Sequence, residues 1–397
     1  MALMRIPATF MRGGTSKAVV FKRRDLPADP KDWDAIFINV MGSPDPSGRQ
    51  LDGMGGGISS LSKICVVGPP SRPDADIDYT FAQVSVRTAT VDYSGNCGNM
   101  SSAMGPFAAD EAMVDVPADG EVMVRVHNTN TNKVIHARFA MTRGVAEVAG
   151  DLAIDGVSGT GAPIKLEFRD PGGSKTGRLL PTGNPVDLLE VAGLGAVEAS
   201  MVDAGNPCVF VPAAALGKHG NELPEDLEAD ARFLDRMEAI RCAASVAMGL
   251  SSTPEQAATI PSVPKVAMIA APIAAPTLSG KALAAADYDI GVRMISIGQP
   301  HRAVPITGAV CLGVAVRVPG SLAERLATAS DQPIRIAQPS GVVVVDAKVN
   351  VGADGSVAAE YGAVYRTARR LFEGVVCFRP VAASREGAAD DRVAVAE

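Results

Sequence analysis

Three short segments combine glycine, hydroxyl, amide, thiol and ammonium groups at spacings that suit work on an anion. In Met11-Arg-Gly-Gly-Thr-Ser-Lys17, paired glycines let the backbone turn tightly beside two hydroxyls and two cations. Such a loop can present N–H groups to a carboxylate or phosphate, with Thr15, Ser16 and Lys17 as the contacting residues. The spacing is not the G-x-x-x-x-G-K-[ST] of a nucleotide loop, and a plain β-turn with a solvated Lys17 is the simpler alternative. In the second segment, glycines at 53 and 55–57 lead into Lys63-Ile-Cys-Val-Val67. A lysine kept from water at the mouth of an apolar strand is a candidate base, because desolvation disfavours an ammonium; the alternative is a lysine that snorkels to solvent. In the third, Tyr93-Ser-Gly-Asn-Cys97-Gly-Asn-Met100, Cys97 falls in the first turn of a helix, beside unpaired N–H groups and the positive end of the dipole. That placement suits a proton donor or acceptor, and the N–H groups around Asn96, Gly98 and Asn99 suit a substrate carboxylate. A buried, inert cysteine fits the pattern equally well.

The rest of the composition narrows the chemistry. The 397 residues carry 44 acids against 37 bases, a net charge of −7, which offers no broad attraction for a phosphate backbone. Nucleic acid is therefore not an expected partner. Six cysteines stand without a C-x-x-C pair, and the four histidines lack the spacing of a metal site, so no metal is expected. Residues 1–9 hold no apolar core of signal length, and the apolar run 263–278 is broken by Lys265 and three prolines. A soluble, cytoplasmic protein without a membrane partner follows.

Elements must position these groups. Runs of β-branched and apolar residues between turn residues predict strands at 18–21, 63–67, 79–86, 122–127, 209–211, 266–269 and 342–345. Helical patterns predict 32–41, a segment from about 97 to 111, 230–248, 287–297, and one opening near Thr307. The class is α+β. Ser94-Gly-Asn-Cys97-Gly-Asn and Ile306-Thr-Gly-Ala-Val each place small residues before an apolar run, as if two similar domains were each built round one buried helix. The length favours two domains: 1–184, carrying Lys63 and Cys97, and 185–380, with residues 381–397 a fraying tail.

Together the segments resemble the PrpF family, a branch of the diaminopimelate-epimerase-like fold that includes 2-methylaconitate cis–trans isomerase, 3-methylitaconate Δ-isomerase and 4-oxalomesaconate tautomerase. MRGGTSK (11–17), GSPD (42–45), DGMGG (52–56) with Lys63, DYTFAQVS (78–85) and VDYSGNCGN (91–99) carry the resemblance. GPFA (105–108), VHNTNT (126–131), LPTGN (180–184), VDAGNPCVFV (202–211) and RTARRLFEG (366–374) extend it over nearly the whole chain. The resemblance implies two barrel-like sheets, each wrapped round a central helix, an active site between them and no cofactor. It also implies that Lys63 and Cys97 transfer the proton. The VDYSGNCGN, VHNTNT and NPCVFV wording is closest to the 3-methylitaconate Δ-isomerase branch. Epimerases of this fold oppose two cysteines across the substrate; here the second helix opens with Thr307-Gly308-Ala309, and Cys311 lies a turn further in.

The expected reaction is a 1,3-allylic proton shift in a small unsaturated di- or tricarboxylic acid. The carbanion must be held by N–H groups and cations on the carboxylates. That work falls to Thr15, Ser16, Lys17, Asn96, Gly98, Asn99, Asn206, Thr307, Gly308 and Ala309, with Arg293 and His301 as further candidates. Two alternatives stay open: a cis–trans isomerase of methylaconitate or aconitate, using the same pair, and a non-catalytic carboxylate-binding protein. A homodimer is compatible with either.

Overall fold

The computed structural model describes residues 3–296, 298–328 and 332–379; the expected tail at 381–397 lies outside the described residues. The hairpin of β1 (Met4–Gly13) and β2 (Ser16–Lys22) leads through α1 (Trp33–Met41) to β3 (Lys63–Gly68), which is parallel to β2 and antiparallel to β4 (Ile77–Val84). Then α2 (Gly98–Asp110) carries the chain to β5 (Gly120–Asn128), parallel to β4, and on to the antiparallel β6 (Lys133–Thr142) and β7 (Ile164–Arg169). The same order recurs. Antiparallel β8 (Gly195–Asp203) and β9 (Pro207–Pro212) lead through α3 (Ala231–Ala247) to β10 (Lys265–Ala270), parallel to β9, and to the antiparallel β11 (Ile290–Ser296). Beyond it, α4 (Ile306–Val316) reaches β12 (Ile334–Gln338), parallel to β11, followed by antiparallel β13 (Gly341–Val351) and β14 (Val357–Arg366). β14 also pairs with β7, and the last strand, β15 (Ala368–Phe378), returns to pair with β1.

The fold is α+β, two similar domains with a sheet wrapped round a helix in each. Strand alternation divides the side chains between an inner and an outer core. In β3, Ile64 and Val66 face α1, while Cys65 and Val67 face α2. In β10, Val266 and Met268 face α3, while Ala267 and Ile269 face α4. A helix enclosed by a sheet is buried all round, so α2 and α4 lack a polar face. Every residue of α2 from Met100 to Ala109 is buried, and so is α4 from Gly308 to Val316. The serines in α2 are satisfied by their own backbone: Ser101 Oγ donates to the Cys97 carbonyl at 3.1 Å and Ser102 Oγ to that of Asn99 at 2.7 Å.

One expected helix is a strand. Residues 287–297 were expected to be helical, but Ile290–Ser296 is β11, in which Ile290, Val292 and Met294 all join the inner core. Residues 290–295 are all buried, the inner core takes every second one from 290 to 294, and the β-branched residues fit a sheet between β10 and β12. Among the described residues no helix is long and apolar enough to cross a membrane.

Glycines set how closely the sheet can close on its helix. A Cβ on Gly105 would lie 2.9 Å from the Ala137 Cβ and 2.9 Å from the Phe139 ring. Gly105→Val is therefore expected to lower the thermal midpoint, a loss of about 1–3 kcal/mol by overpacking, measured by a circular-dichroism melt. An unchanged midpoint would contradict this packing.

Candidate active site

The β1–β2 hairpin has a two-residue turn, Gly14-Thr15, with Gly13 paired to Ser16 and Gly14 at φ 50°. Its tip presses on the start of α2: a Cβ on Gly13 would stand 2.6 Å from the Asn99 carbonyl, and one on Gly14 2.2 Å from Asn99 Oδ1. No other residue allows that approach. The turn is tied down by Arg12, which donates to the carbonyls of Gly14 (3.0 Å) and Thr367 (2.9 Å). Asn99 Nδ2 donates to Thr15 Oγ1 at 3.0 Å, and Arg366 Nε donates to Asn99 Oδ1 at 3.3 Å. Ser16 is buried, with its hydroxyl 4.0 Å from Cys97 Sγ. Lys17, the next residue, must point the other way; its Nζ lies 5.6 Å from the Phe10 ring. The expectation that Lys17 joins Ser16 at the site is thus corrected by strand alternation.

Lys63 opens β3 and is 8% exposed. Its Nζ donates to Gln83 Oε1 at 2.5 Å and sits 4.9 Å from the Phe81 ring. Gln83, opposite Lys63 on β4, spends its amide hydrogens on the carbonyls of Ser59 (3.0 Å) and Ser62 (2.8 Å), which fixes its oxygen toward the amine. The lysine is therefore oriented by a neutral acceptor and an aromatic face. Beneath it, the Cys65 thiol stands 3.8 Å from the Tyr79 hydroxyl. Burial pushes Cys65 far up and the neighbouring Cys97 adds to this, while Tyr79 and Lys63 oppose it. Lys63 and Cys97, on different elements, thus both act electrostatically on one buried sulfur.

Cys97 is the N-cap of α2, with extended backbone (φ −101°, ψ 97°) and no side-chain cap. Its carbonyl accepts from Ser101 N at 2.9 Å, while Asn96 Oδ1 accepts from Ser101 Oγ at 3.2 Å. The N–H groups of Gly98 and Asn99 have no intrahelical partner, and this end of the dipole stabilises an anion.

The second domain supplies the opposite wall. A Cβ on Gly98 would lie 3.0 Å from Ile306 Cδ1, so the N-termini of α2 and α4 come into contact. One cavity, of about 260 Å³, lies between Thr15, Asn99 and Arg366 on one side and Val304, Ile306 and Ser340 on the other. Another, of about 400 Å³, lies between Asn96, Asn130 and Lys133 and the start of α4 at Thr307. The position matching Cys97, the N-cap of α4, is Pro305, and Cys311 is fully buried, its thiol pushed well up by burial. Gly308 packs on Met294, and Ala309 N donates to the Pro305 carbonyl at 2.9 Å. Among the described residues, Asn206 Nδ2 and His301 Nε2 are buried without a hydrogen-bond partner. Burial lowers the His301 pKa.

Arg293 needs a correction. Alternation along β11 turns it away from α4, where it donates from Nε to the Glu222 carbonyl at 2.5 Å and from Nη1 to the Val292 carbonyl at 2.8 Å. It belongs to the outer side of the second domain. Two residues not singled out in the sequence replace it: Gln83, which orients Lys63, and Arg366, whose pKa falls to about 10 through burial, against the pull of Asp155. Arg366 was visible only as part of the RTARRLFEG motif. Among the described residues no cluster of three or more His, Cys, Asp or Glu is placed to hold a metal ion.

The profile of a family described as "PrpF protein" matches residues 3–379. The chain is 41% identical over 377 residues to the 3-methylitaconate isomerase of Eubacterium barkeri, covering 94% of this chain and 97% of that one. It is 40% identical over 384 residues to the 2-methyl-aconitate isomerase of Cupriavidus necator, covering 94% and 97%. The crystal structure of a methylitaconate-delta-isomerase superimposes with a TM-score of 0.89 at 39% identity, covering 98% of this chain and all of that one.

The thiols differ in access: Cys97 is half-buried and Cys377 exposed, while Cys65, Cys208, Cys242 and Cys311 are buried. Iodoacetamide added to the folded protein is expected to label Cys97 and Cys377 only, as read by peptide mass mapping. Labelling of Cys65 as fast as Cys97 would overturn the arrangement of the first half-site.

Proposed function

The chain belongs to the PrpF protein family, and on that premise we propose that it is an isomerase moving a proton within a small unsaturated polycarboxylic acid of the methylitaconate or methylaconitate kind. The observation that carries this reading is that Cys97 caps the N-terminus of α2 beside Ser16, and that it and the buried Lys63 both act electrostatically on Cys65. One of the pair removes a proton from the allylic carbon. The electron pair delocalises through the double bond onto a carboxylate, and the other partner returns a proton at the far carbon. A positioned acid or base contributes about 10²–10⁴-fold, so the dienolate must be stabilised as well. The N–H groups of Gly98 and Asn99, the Ser16 hydroxyl and Arg366 are suited to that charge, and each well-aimed donor is worth roughly 10²–10³-fold.

A second reading has support of its own, because the relative named for 2-methyl-aconitate is as similar to this chain as the one named for 3-methylitaconate. In a cis–trans isomerisation the same pair removes the proton, the transient single bond rotates, and the proton returns to the same carbon.

Proton NMR in D₂O with cis-aconitate, 2-methylaconitate, 3-methylitaconate and 4-oxalomesaconate tests both readings. Deuterium at the far alkene carbon, two bonds from the one deprotonated, marks the allylic shift, and deuterium at the original carbon with inverted alkene geometry marks the cis–trans route. Lys63→Met and Cys97→Ser are each expected to lower kcat by about 10²-fold or more. Wild-type turnover in both variants, or no turnover of any of the four acids by the unsubstituted protein, would sink the proposal.

A further inference from the structure

The internal repeat gives Lys63 a counterpart. In the parallel ladder of β2 and β3, Val19 pairs with Ile64, so Lys63 stands at the strand mouth one step earlier. In the parallel ladder of β9 and β10, Cys208 pairs with Lys265 and Val209 with Val266, which places Lys265 at the mouth of β10. The alternation agrees: the residue after each lysine enters an outer core, Ile64 against α1 and Val266 against α3. The residue after that enters the inner core, Cys65 and Ala267. Each lysine therefore faces the side of its central helix, and those helices meet at their N-termini through Gly98 and Ile306.

The two half-sites then differ in one respect that matters chemically. The first has a thiol at the helix N-cap, Cys97; the second has Pro305 there and keeps only the amine. Lys265 acts electrostatically on His301, and two polar atoms of this half, Asn206 Nδ2 and His301 Nε2, are buried without partners among the described residues. Burial lowers the Lys265 pKa and Cys208 opposes this, which is the environment of a cation drawn out of water. A lysine, an amide and an imidazole, with no thiol at the N-cap of the central helix, suit holding negative charge and not moving a proton.

We propose that Lys265, with Asn206 and His301, binds a carboxylate of the substrate on the second-domain wall, facing the proton-transferring wall of Lys63 and Cys97. This deepens the isomerase reading and rests on it. One half of the duplicated fold would do the chemistry, and the other would hold the substrate's charge.

The test uses tricarballylate (propane-1,2,3-tricarboxylate), which has no double bond to isomerise, titrated calorimetrically into the unsubstituted protein and variants. Lys265→Met is expected to weaken its binding by roughly 10–100-fold, the loss of one charged hydrogen bond. The KM for the turned-over acid should rise by a similar factor with kcat little changed, whereas Lys63→Met acts on kcat. Lys265→Arg, which keeps the cation, should recover most of the binding; Asn206→Ala and His301→Gln should each weaken it. A folded Lys265→Met that binds within about twofold of the parent would overturn the inference and leave the isomerase reading standing. So would a folded Lys265→Arg without recovered binding, which also decides the matter if the Met variant does not fold. If the unsubstituted protein neither turns over any of the four acids nor binds tricarballylate, the isomerase reading fails, and the inference with it.

Discussion

The N-termini of α2 and α4 are brought together at the contact of Gly98 with Ile306, and most of the candidate site follows from that arrangement. Each N-terminus carries roughly half a positive charge and N–H groups without intrahelical partners. Two such ends brought together repel one another unless an anion lies between or beside them. A dienolate with two or three carboxylates is such an anion. The fold thus supplies electrostatic stabilisation from backbone alone, before any side chain contributes, and the cavities flanking the contact are where that field is available.

Holding two helices in this way requires each to be enclosed. Small residues make the enclosure close: Gly105 lies against Ala137 and Phe139, and Gly313 would place a Cβ 2.7 Å from Val345. Enclosure also explains why the candidate groups come from strand mouths and a hairpin tip. The helix surface is consumed by packing, so the ends of the surrounding strands are what remain open to the cleft. Ser16 and Lys63 are both first residues of strands, and Cys97 is the last residue before its helix.

The site is held by contacts that are far apart in sequence. Arg12 and Gly14 bond to Thr367, and Arg366 bonds to Asn99, because the last strand returns to pair with the first. Closure of the ladder therefore sets the hairpin tip against the helix start. A chain ending before β14 would retain Lys63 and Cys97 but lose the residues that fix Thr15 and Asn99.

The strand opening at Lys63, the helix opening beside Cys97, the glycine turn at Gly13-Gly14 and the missing thiol at the second helix were legible in the sequence, since each rests on local pattern and residue type. The helix expected at 287–297 was not, because apolar residues at 290, 292, 294 and 295 satisfy either period in a short run, and only pairing with β10 and β12 selects the strand. Lys17 and Arg293 had the right chemistry on the wrong face, which a one-residue step along a strand decides. Gln83 and Arg366 lay within the quoted motifs but showed no role there, because their roles lie in partners 20 and 267 residues away. Residue type determined which groups could act on a proton or a carboxylate; strand register and the closing of the sheet decided which of them face the same volume.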